Sequence, residues 1–202
     1  EMTADRNRSF AENVIVVGNM ENDSQSRSVL SKLGIESTNI IETTPRNTAA
    51  AIAFAAFLSD PEDILVVTPS DHIIQGEQQY SDSIQKAIQL AKENYIVTFG
   101  VVPTKPETGY GYIEFKNDDV ISFREKPNSV TAKEFIKKGN FLWNSGMFCF
   151  KAGILLEELN IYSPDIFEKS KIAIQESVNG ILDKELSLSI PSISIDYAVM
   201  ER

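Results

Sequence analysis

The stretch ILVVTPSDHII, residues 64–74, decides which fold to expect. Its first four residues are apolar and mostly β-branched, a run that is typical of a strand buried on both faces. Pro69 cannot donate a hydrogen bond to a neighbouring strand, so we expect the strand to end before it. A carboxylate, Asp71, and the only histidine of the chain, His72, therefore follow a buried strand directly.

Strands and helices alternate on both sides of this stretch. Strand-like runs stand at residues 13–18, 39–42, 63–68 and 95–102, with helical patterns between them. Such alternation predicts βαβ units and an α/β fold, with a mainly parallel central sheet flanked by helices. Residues 109–115 and 120–124 instead predict an antiparallel hairpin. No repeat or linker divides the chain, so we expect one domain.

The composition narrows the classes of protein that fit. There are 19 basic and 29 acidic side chains, and the net charge of −10 argues against a surface that binds nucleic acid. The longest apolar run, residues 49–58, is shorter than the roughly 18 residues that cross a membrane. A single cysteine, Cys149, excludes an internal disulfide and fits a reducing compartment. We therefore expect a cytoplasmic protein without a nucleic-acid or membrane partner.

Asp71 is the first candidate for chemistry. In an open parallel sheet, ligands bind beyond the carboxyl ends of the strands, and Asp71 stands three residues after Thr68, where we expect the strand to end. A carboxylate there can hold Mg²⁺, which binds through one or two carboxylates and substrate phosphates. An aspartate that only shapes a turn explains the same residue, so both interpretations stay open at this point.

The segment Arg46-Asn47-Thr48 opens an alanine-rich helical pattern. The first turn of a helix has unpaired N–H groups and a partial positive charge, which suit an anion or the polar edge of a base. An ordinary N-cap at Asn47 accounts for the pattern equally. The segment is therefore a candidate for nucleotide binding only in combination with other features.

Three further motifs place polar residues or glycines among apolar ones. The glycines of GYGY, residues 109–112, indicate a bulge or a close approach of the backbone to a ligand. In Glu125-Lys126-Pro127 the lysine suits a phosphate and the glutamate suits sugar hydroxyls, unless the two form a solvated ion pair. In Trp143-Asn144-Ser145-Gly146 the polar side chains need partners, either a ligand or the neighbouring backbone.

Taken together and in this order, the motifs resemble the sugar-1-phosphate nucleotidyltransferases. Within that family the chain is most similar to the mannose-1-phosphate guanylyltransferases, including the bifunctional type that is also a mannose-6-phosphate isomerase. The resemblance covers nearly everything from residue 13 onward. The stretches that carry it are RNTAAAIAFAA (46–56), VVTPSDHII (66–74), TFGVVPTKPETGYGYIEF (98–115), EKP (125–127), FLWNSGMFCFKA (141–152) and SIDYAVMER (194–202).

The resemblance implies a Rossmann-like nucleotidyltransferase fold and a definite reaction. GMP would pass from GTP to mannose 1-phosphate, giving GDP-mannose and pyrophosphate, with Mg²⁺ as the cofactor. The sugar phosphate oxygen would attack the α-phosphorus directly, so that no covalent enzyme intermediate forms. By the same resemblance Asp71 and Asp196 are the metal ligands, and these two and Lys126 are the catalytic residues.

The resemblance also indicates which residues bind the two substrates. Lys126 would contact the sugar phosphate, while Glu125 and Asn144 would contact mannose hydroxyls. Gly111 would let the backbone approach the sugar. The residues implied for the guanine nucleotide are Arg46, Asn47 and Thr48.

One part of the family pattern has no counterpart in this sequence. The family begins with a strand and a glycine-rich loop that hold the triphosphate, and residues 1–12 (EMTADRNRSFAE) do not match them. We therefore expect residues 1–202 to be a single nucleotidyltransferase domain that lacks this loop and its C-terminal segment. The alternatives are a transferase for another sugar or base, a non-catalytic nucleotide-sugar-binding fragment, and a bifunctional parent with the isomerase in another domain. Whether the protein is a homo-oligomer is left open.

Overall fold

The computed structural model describes all of residues 1–202 as a mixture of strands and helices. The strands are β1 (Val14–Asn19), β2 (Ser37–Glu42), β3 (Ile64–Val67), β4 (Val97–Val101), β5 (Tyr112–Lys116), β6 (Asp119–Arg124) and β7 (Phe141–Lys151). The helices are α1 (Met2–Asn7), α2 (Met20–Lys32), α3 (Asn47–Phe57), α4 (Glu77–Lys92), α5 (Ser129–Lys138), α6 (Ala152–Tyr162), α7 (Pro164–Gln175) and α8 (Lys184–Ser189), followed by a π-helical turn, Asp196–Met200.

The strands form two sheets. In the smaller sheet β1 and β2 are parallel, from Val14 opposite Ser37 to Asn19 opposite Glu42. In the five-stranded sheet β7 is central and runs antiparallel to β3, β4 and β5, and β6 pairs with β5. Cys149 of β7 pairs with both β3 and β4, so these two strands lie on opposite sides of β7.

The α/β class, the alternation of strands and helices, and the β5–β6 hairpin are confirmed. Direct parallel pairing is confined to β1 and β2, because β7 inserts between β3 and β4. Since β3 and β4 are each antiparallel to β7, they still run in the same direction as one another. The strands β3 and β4 are therefore parallel in direction, as the sequence pattern predicts, but β7 lies between them.

Strand β7 runs without a break from Phe141 to Lys151. In the sequence the same segment reads as two apolar stretches separated by the polar residues at 144–146. Gly146 has a φ of +68°, which glycine adopts without strain, and the pairing with β4 shifts at this point. Ser145 Oγ donates to the carbonyl oxygen of Phe99 and accepts from the backbone N–H of Met147. The interruption is thus a bulge in which the Ser145 hydroxyl is satisfied by β4 and by the backbone of β7 itself.

Helix α3 lies in the main core, a cluster of 19 buried residues. The helix contacts α6, α7 and β1, and small alanine side chains let these neighbours approach its backbone closely. The fully buried residues of α3 are Ala49, Ala50, Ala53, Phe54 and Ala56. Alanine-rich composition therefore reflects close packing here as well as helix propensity.

Strands β1 and β3 each have one edge without a partner strand, because β1 pairs only with β2 and β3 only with β7. Their apolar side chains are half-buried and pack against the same core. The side chains concerned are Ile15, Val17, Leu65 and Val67. Both sheets thus share one core although no ladder joins them. No helix of the protein combines the length and the apolar character needed to span a membrane.

Candidate active site

Asn144 is the centre of the candidate site. Its Nδ2 donates to Asp196 Oδ1 at 2.7 Å, and its Oδ1 accepts from the backbone N–H of Gly146 at 3.0 Å. Its own backbone N–H donates to the carbonyl oxygen of Gly111 at 2.8 Å. The side-chain amide is therefore held at both ends, which fixes Asn144 and Asp196 relative to the bulge of β7.

Gly111 and Glu125 lie against this amide. A Cβ atom at position 111 would lie 2.5 Å from Glu125 Oε2 and 3.4 Å from the Cβ of Asn144, so a side chain there would force the Glu125 carboxylate to move. Gly111 is buried, and the Glu125 side chain is only 17% exposed. The glycine predicted to bring the backbone near a ligand thus brings it near the two side chains predicted to bind the sugar.

Lys126 follows Glu125 at the end of β6 with a positive φ of 43°, an uncommon backbone conformation for a residue other than glycine. Its Nζ lies 3.3 Å from Glu125 Oε1, and its side chain is 66% exposed. An ion pair this exposed contributes little to stability. The ammonium group therefore stays available to bind an anion at the rim of the site.

The carboxylates of Glu125 and Asp196 act on the pKa of a third acidic residue, Glu201. The pKa of Glu201 is raised above its usual range, chiefly by burial and then by the negative charges of Glu125 and Asp196. Sequence reasoning gave Glu201 no role, although it belongs to the SIDYAVMER stretch that carried the resemblance. Arg202 and Arg124 act in the opposite direction and lower the pKa of Glu201, so positive charge also lies near this carboxylate.

Asp71 lies in an exposed loop after β3. Two residues earlier, Pro69 packs toward the bulge of β7, where a Cβ on Gly146 would be 3.7 Å from Pro69 Cγ. The Asp71 loop thus adjoins the segment that carries Asn144. The protein has no cluster of three or more His, Cys, Asp or Glu side chains that could hold a metal ion without further ligands.

Two carboxylates are nevertheless enough for Mg²⁺ when substrate phosphates complete its coordination. Asn144 occupies one oxygen of Asp196, Oδ1, which leaves the other oxygen free to bind a cation. Asp71 is exposed and lies on the neighbouring loop. Both are hard oxygen donors of the kind that Mg²⁺ prefers, so the residues fit the predicted ion.

The segment Arg46–Thr48 is tied to the residues that lead into Asp196. Arg46 Nε donates to the carbonyl oxygen of Ile190 at 2.6 Å. Thr48 Oγ1 accepts from the backbone N–H of Ile195 at 2.9 Å. Asn47 begins α3 with a φ of +70°, and its exposed side chain accepts from the N–H of Thr48. Arg46 and Thr48 therefore hold the chain before Asp196, and Asn47 faces solvent.

Glu42, to which sequence reasoning gave no role, supports the Arg46–Thr48 segment. It ends β2, is 8% exposed, and its Oε1 accepts from the backbone N–H of Arg46 at 3.2 Å. Burial raises its pKa, and the hydrogen bond from Arg46 opposes part of that rise. A polar residue at the end of a predicted strand was the only available signal, since its burial depends on distant segments.

Of the predicted residues, the structure brings Gly111, Glu125, Asn144 and Asp196 into contact, with Lys126 at their rim. The Arg46–Thr48 segment joins them through the chain before Asp196, and Asp71 joins them through Pro69 and the β7 bulge. Their roles toward substrates and metal stay predictions. The fold and these contacts together define an α/β protein in which polar and charged side chains gather around Asn144 and Asp196.

The chain belongs to the nucleotidyl transferase family, whose model matches residues 2–183. It is 41% identical to mannose-1-phosphate guanylyltransferase of Escherichia coli (strain K12) in an alignment 182 positions long that covers 81% of this chain and 38% of that protein. It is 40% identical to the xanthan biosynthesis protein XanB of Xanthomonas campestris pv. campestris (strain B100) in an alignment 200 positions long that covers 93% of this chain and 43% of that protein. The chain thus spans about two fifths of the length of these curated relatives.

Solved structures share the fold over the whole chain. One, described as mannose-6-phosphate isomerase from Helicobacter pylori, has a TM-score of 0.94 and 37% identity, and the match covers 100% of this chain and 83% of that chain. Another, described as mannose-1-phosphate geranyltransferase from Thermus thermophilus, has a TM-score of 0.86 and 28% identity, and covers 100% and 60%. The Rossmann-like nucleotidyltransferase fold is therefore confirmed.

Proposed function

We propose that this chain is the nucleotidyltransferase part of an enzyme that transfers GMP from GTP to mannose 1-phosphate, giving GDP-mannose and pyrophosphate. One observation supports the proposal most strongly: Gly111, Glu125, Asn144 and Asp196 meet at one place beside the exposed ammonium of Lys126. Hydroxyl-binding groups next to a free cation suit a sugar that carries a phosphate. The relatives named mannose-1-phosphate guanylyltransferase support this choice of sugar and base.

In this proposal Lys126 binds the sugar phosphate as a point charge, and Glu125 accepts hydrogen bonds from mannose hydroxyls. Asn144 contributes at the same subsite, oriented by its bonds to Asp196 and Gly146. Because Gly111 has no side chain, the Glu125 carboxylate can lie beside its backbone, within reach of a sugar bound there. Catalysis then consists mainly of positioning the attacking phosphate oxygen in line with the α-phosphorus.

The guanine nucleotide would bind at the start of α3. The exposed side chain of Asn47 offers a donor and an acceptor, and Arg46 and Thr48 keep the first turn in place through Ile190 and Ile195. The start of the helix adds a partial positive charge, while the N–H groups of Thr48 and Ala49 already donate to Asn47 Oδ1 and to the carbonyl oxygen of Ile193. Arg46 and Thr48 are assigned here mainly to positioning, and Asn47 to direct contact.

Asp71 and Asp196 would hold Mg²⁺, which neutralises charge on the phosphates while pyrophosphate leaves. The new bond joins the sugar phosphate oxygen to the α-phosphorus, and the bond to the bridging oxygen of the pyrophosphate breaks. The attacking oxygen is already ionised, so no residue of the chain has to remove a proton. The carboxylates therefore act on charge and geometry and not as general bases.

We also propose that the domain continues beyond these 202 residues, with its glycine-rich loop and C-terminal segment in the rest of a longer protein. The unpaired edges of β1 and β3 over a shared core support this, as does the length of the relatives. An isomerase activity, if the longer protein has one, would lie in another domain, because one histidine and one cysteine cannot form a zinc site here. The single free, buried cysteine supports a cytoplasmic location.

The test is pyrophosphate release by the full-length protein with Mg²⁺, across a grid of nucleoside triphosphates and sugar 1-phosphates. Release confined to GTP and mannose 1-phosphate supports the proposal, and release with another pair replaces the substrates. A silent grid with retained binding of GDP-mannose would favour the second candidate, a non-catalytic nucleotide-sugar-binding protein. Such a protein has no need of carboxylates that bind a metal, so the variants below separate the two.

Three substitutions test the roles. Asp71→Asn and Asp196→Asn each remove one carboxylate charge without changing side-chain size, and should lower turnover about 100-fold or more. Lys126→Ala should mainly raise KM for the sugar phosphate, by about tenfold for one charge-assisted hydrogen bond. Lys133→Ala, an exposed lysine on α5, is the control and should change neither constant. Near-normal turnover in either aspartate variant would reject the metal assignment.

A further inference from the structure

We propose that Asn7 is a positioning residue for the loop of residues 68–76, which carries Asp71. Asn7 is the last residue of α1, and its side-chain amide reaches both flanks of this loop. Its Nδ2 donates to Thr68 Oγ1 at 3.1 Å, and its Oδ1 accepts from the hydroxyl of Tyr80. Because Thr68 begins the loop and Tyr80 lies in the first turn of α4 after it, one amide joins the two ends.

Other contacts of α1 act on the same loop. Thr3, which is 9% exposed, donates through Oγ1 to the carbonyl oxygen of Ser70 at 3.2 Å. The guanidinium carbon of Arg6 lies 4.9 Å from the centre of the Tyr80 ring, and Phe10 packs edge-on against that ring at 6.5 Å. Helix α1 and the residues after it therefore cover the loop from one side.

Apart from these contacts, the loop is held by Pro69, which packs toward Gly146, and by Ile74, which packs against the cluster of Tyr80, Ile84 and Met147. The hydrogen bonds from Thr3 and Asn7 are the only side-chain hydrogen bonds that reach residues 68–76. Ser70, Asp71 and Ile73 are exposed, and Ile73 is 74% exposed although it is apolar. Between these anchors Ser70, Asp71 and Ile73 make few contacts, so the hydrogen bonds from Thr3 and Asn7 contribute to the order of the loop.

The inference rests on the proposed function, because it gives Asn7 a purpose through the metal ligand Asp71. Partners that orient a metal ligand without touching the metal typically change metal affinity or activity roughly 10–100-fold when they are removed. Asn7 acts through the loop backbone and contacts no reacting atom. We therefore expect its loss to change the dependence on Mg²⁺ more than the binding of mannose 1-phosphate.

The experiment compares four variants of the full-length protein. Asn7→Leu keeps the size of the side chain and removes both hydrogen bonds, while Tyr80→Phe removes only the hydroxyl and keeps the ring contacts. Asn7→Asp is the conservative variant, because a carboxylate can accept from both the Thr68 and the Tyr80 hydroxyl. Arg8→Gln is the matched control, since Arg8 makes only an exposed ion pair with Asp5 at 3.5 Å.

Hydrogen exchange of residues 68–76 is the first readout, because it needs neither metal nor substrate. Asn7→Leu should speed exchange in this segment about 25-fold, because it loses two hydrogen bonds that each contribute about fivefold. Tyr80→Phe should have a smaller effect in the same direction, and Arg8→Gln none. The second readout is the Mg²⁺ concentration for half-maximal pyrophosphate release, which should rise about tenfold in Asn7→Leu and return toward normal in Asn7→Asp.

The outcomes separate this inference from the proposed function. Unchanged exchange at residues 68–76 in both Asn7→Leu and Tyr80→Phe would overturn the inference. Faster exchange with an unchanged Mg²⁺ dependence would overturn the positioning role and leave the proposed function intact. If the wild-type protein releases no pyrophosphate, the proposed function fails and so does the catalytic part of this inference, while exchange still decides whether Asn7 holds the loop.

Discussion

At the scale of single residues, the site depends on the missing side chain of Gly111. Gly111 leaves a space that Glu125 fills, and any Cβ there would collide with Glu125 Oε2 at 2.5 Å. Gly109, two residues earlier, has only an ordinary contact, 3.7 Å from a Cβ to Glu107 Oε1. The two glycines of GYGY thus have different tolerance for a methyl group.

This difference predicts the result of a matched pair of substitutions. Gly111→Ala should displace Glu125 and raise KM for the sugar 1-phosphate about tenfold or more, because small misplacements at a binding site are costly. Gly109→Ala should leave KM nearly unchanged. The measurement is KM for the sugar 1-phosphate by steady-state kinetics, with the melting temperature of each variant as a control for folding. Equal effects at the two positions would show that the space at Gly111 is not used by Glu125.

Glu42 gives a prediction about pH. Its pKa in the folded protein is raised above the ordinary 4.5 by burial, so the folded state binds this proton more tightly than the unfolded chain does. The contribution of Glu42 to the free energy of unfolding is therefore most favourable below pH 4.5 and is lost as the pH rises through the raised pKa.

Glu42→Gln removes this titration and keeps an acceptor for the backbone N–H of Arg46. The difference in melting temperature, variant minus wild type, should increase as the pH rises through the raised pKa and should then become constant. Thermal melts of both proteins between about pH 4 and pH 8 make the measurement. A difference that is constant with pH would show that Glu42 titrates normally.

At the scale of elements, the turn at residues 178–181 supports the end of β2. The backbone N–H of Ile41 donates to the carbonyl oxygen of Gly180 at 2.8 Å, and that of Leu182 donates to the carbonyl oxygen of Ile41 at 3.0 Å. Gly180 has a φ of +78°, and a Cβ there would overlap the carbonyl oxygen of Asn39. The turn therefore needs a glycine for two separate reasons.

Replacing Gly180 should accordingly cost more than replacing a glycine with positive φ in open space. Gly34 has a φ of +67° and no atom within 4 Å of its missing Cβ, so Gly34→Ala should cost about 1 kcal/mol from backbone strain. Gly180→Ala should cost about 3 kcal/mol, because the backbone of β2 must also move. Urea unfolding of the two variants makes the comparison. Similar losses at both sites would mean that the turn can shift away from Asn39.

At the scale of the whole molecule, the two sheets share one core without sharing a ladder. The free edges of β1 and β3 expose backbone groups, and exposed strand edges tend to pair with another strand. In the longer protein that we propose, a further strand would satisfy these groups. Apolar side chains of β1 and β3 already pack on the core that contains α3, so a strand between them would lie over the same core.

We therefore expect the amides of β1 and β3 to exchange more slowly in the longer protein than in the isolated 202-residue chain. The amides of β7 serve as the internal control, because β7 already pairs on both sides in this chain. Native-state hydrogen exchange on the two proteins makes the measurement. Equal protection of β1 and β3 in both would argue against an added strand at these edges.

The sequence by itself determined the α/β class, the order of the elements and the candidate residues. Continuous apolar runs, helical periodicity and turn residues are local signals, so they located β1, α3 and β3 directly. The resemblance to known transferases added the roles of Asp71, Lys126 and Asp196. None of this required knowing which segments touch.

Only the tertiary structure decided which residues meet. Strand β7 pairs with β3 and β4, which lie far from it along the chain, and the Asn144–Asp196 hydrogen bond spans 52 residues. Burial of Glu42, crowding at Glu201 and the hold of Asn7 on the Asp71 loop arise from such distant contacts. Pairing between remote segments depends on the packing of the whole core, and for that reason no local pattern in the sequence could reveal it.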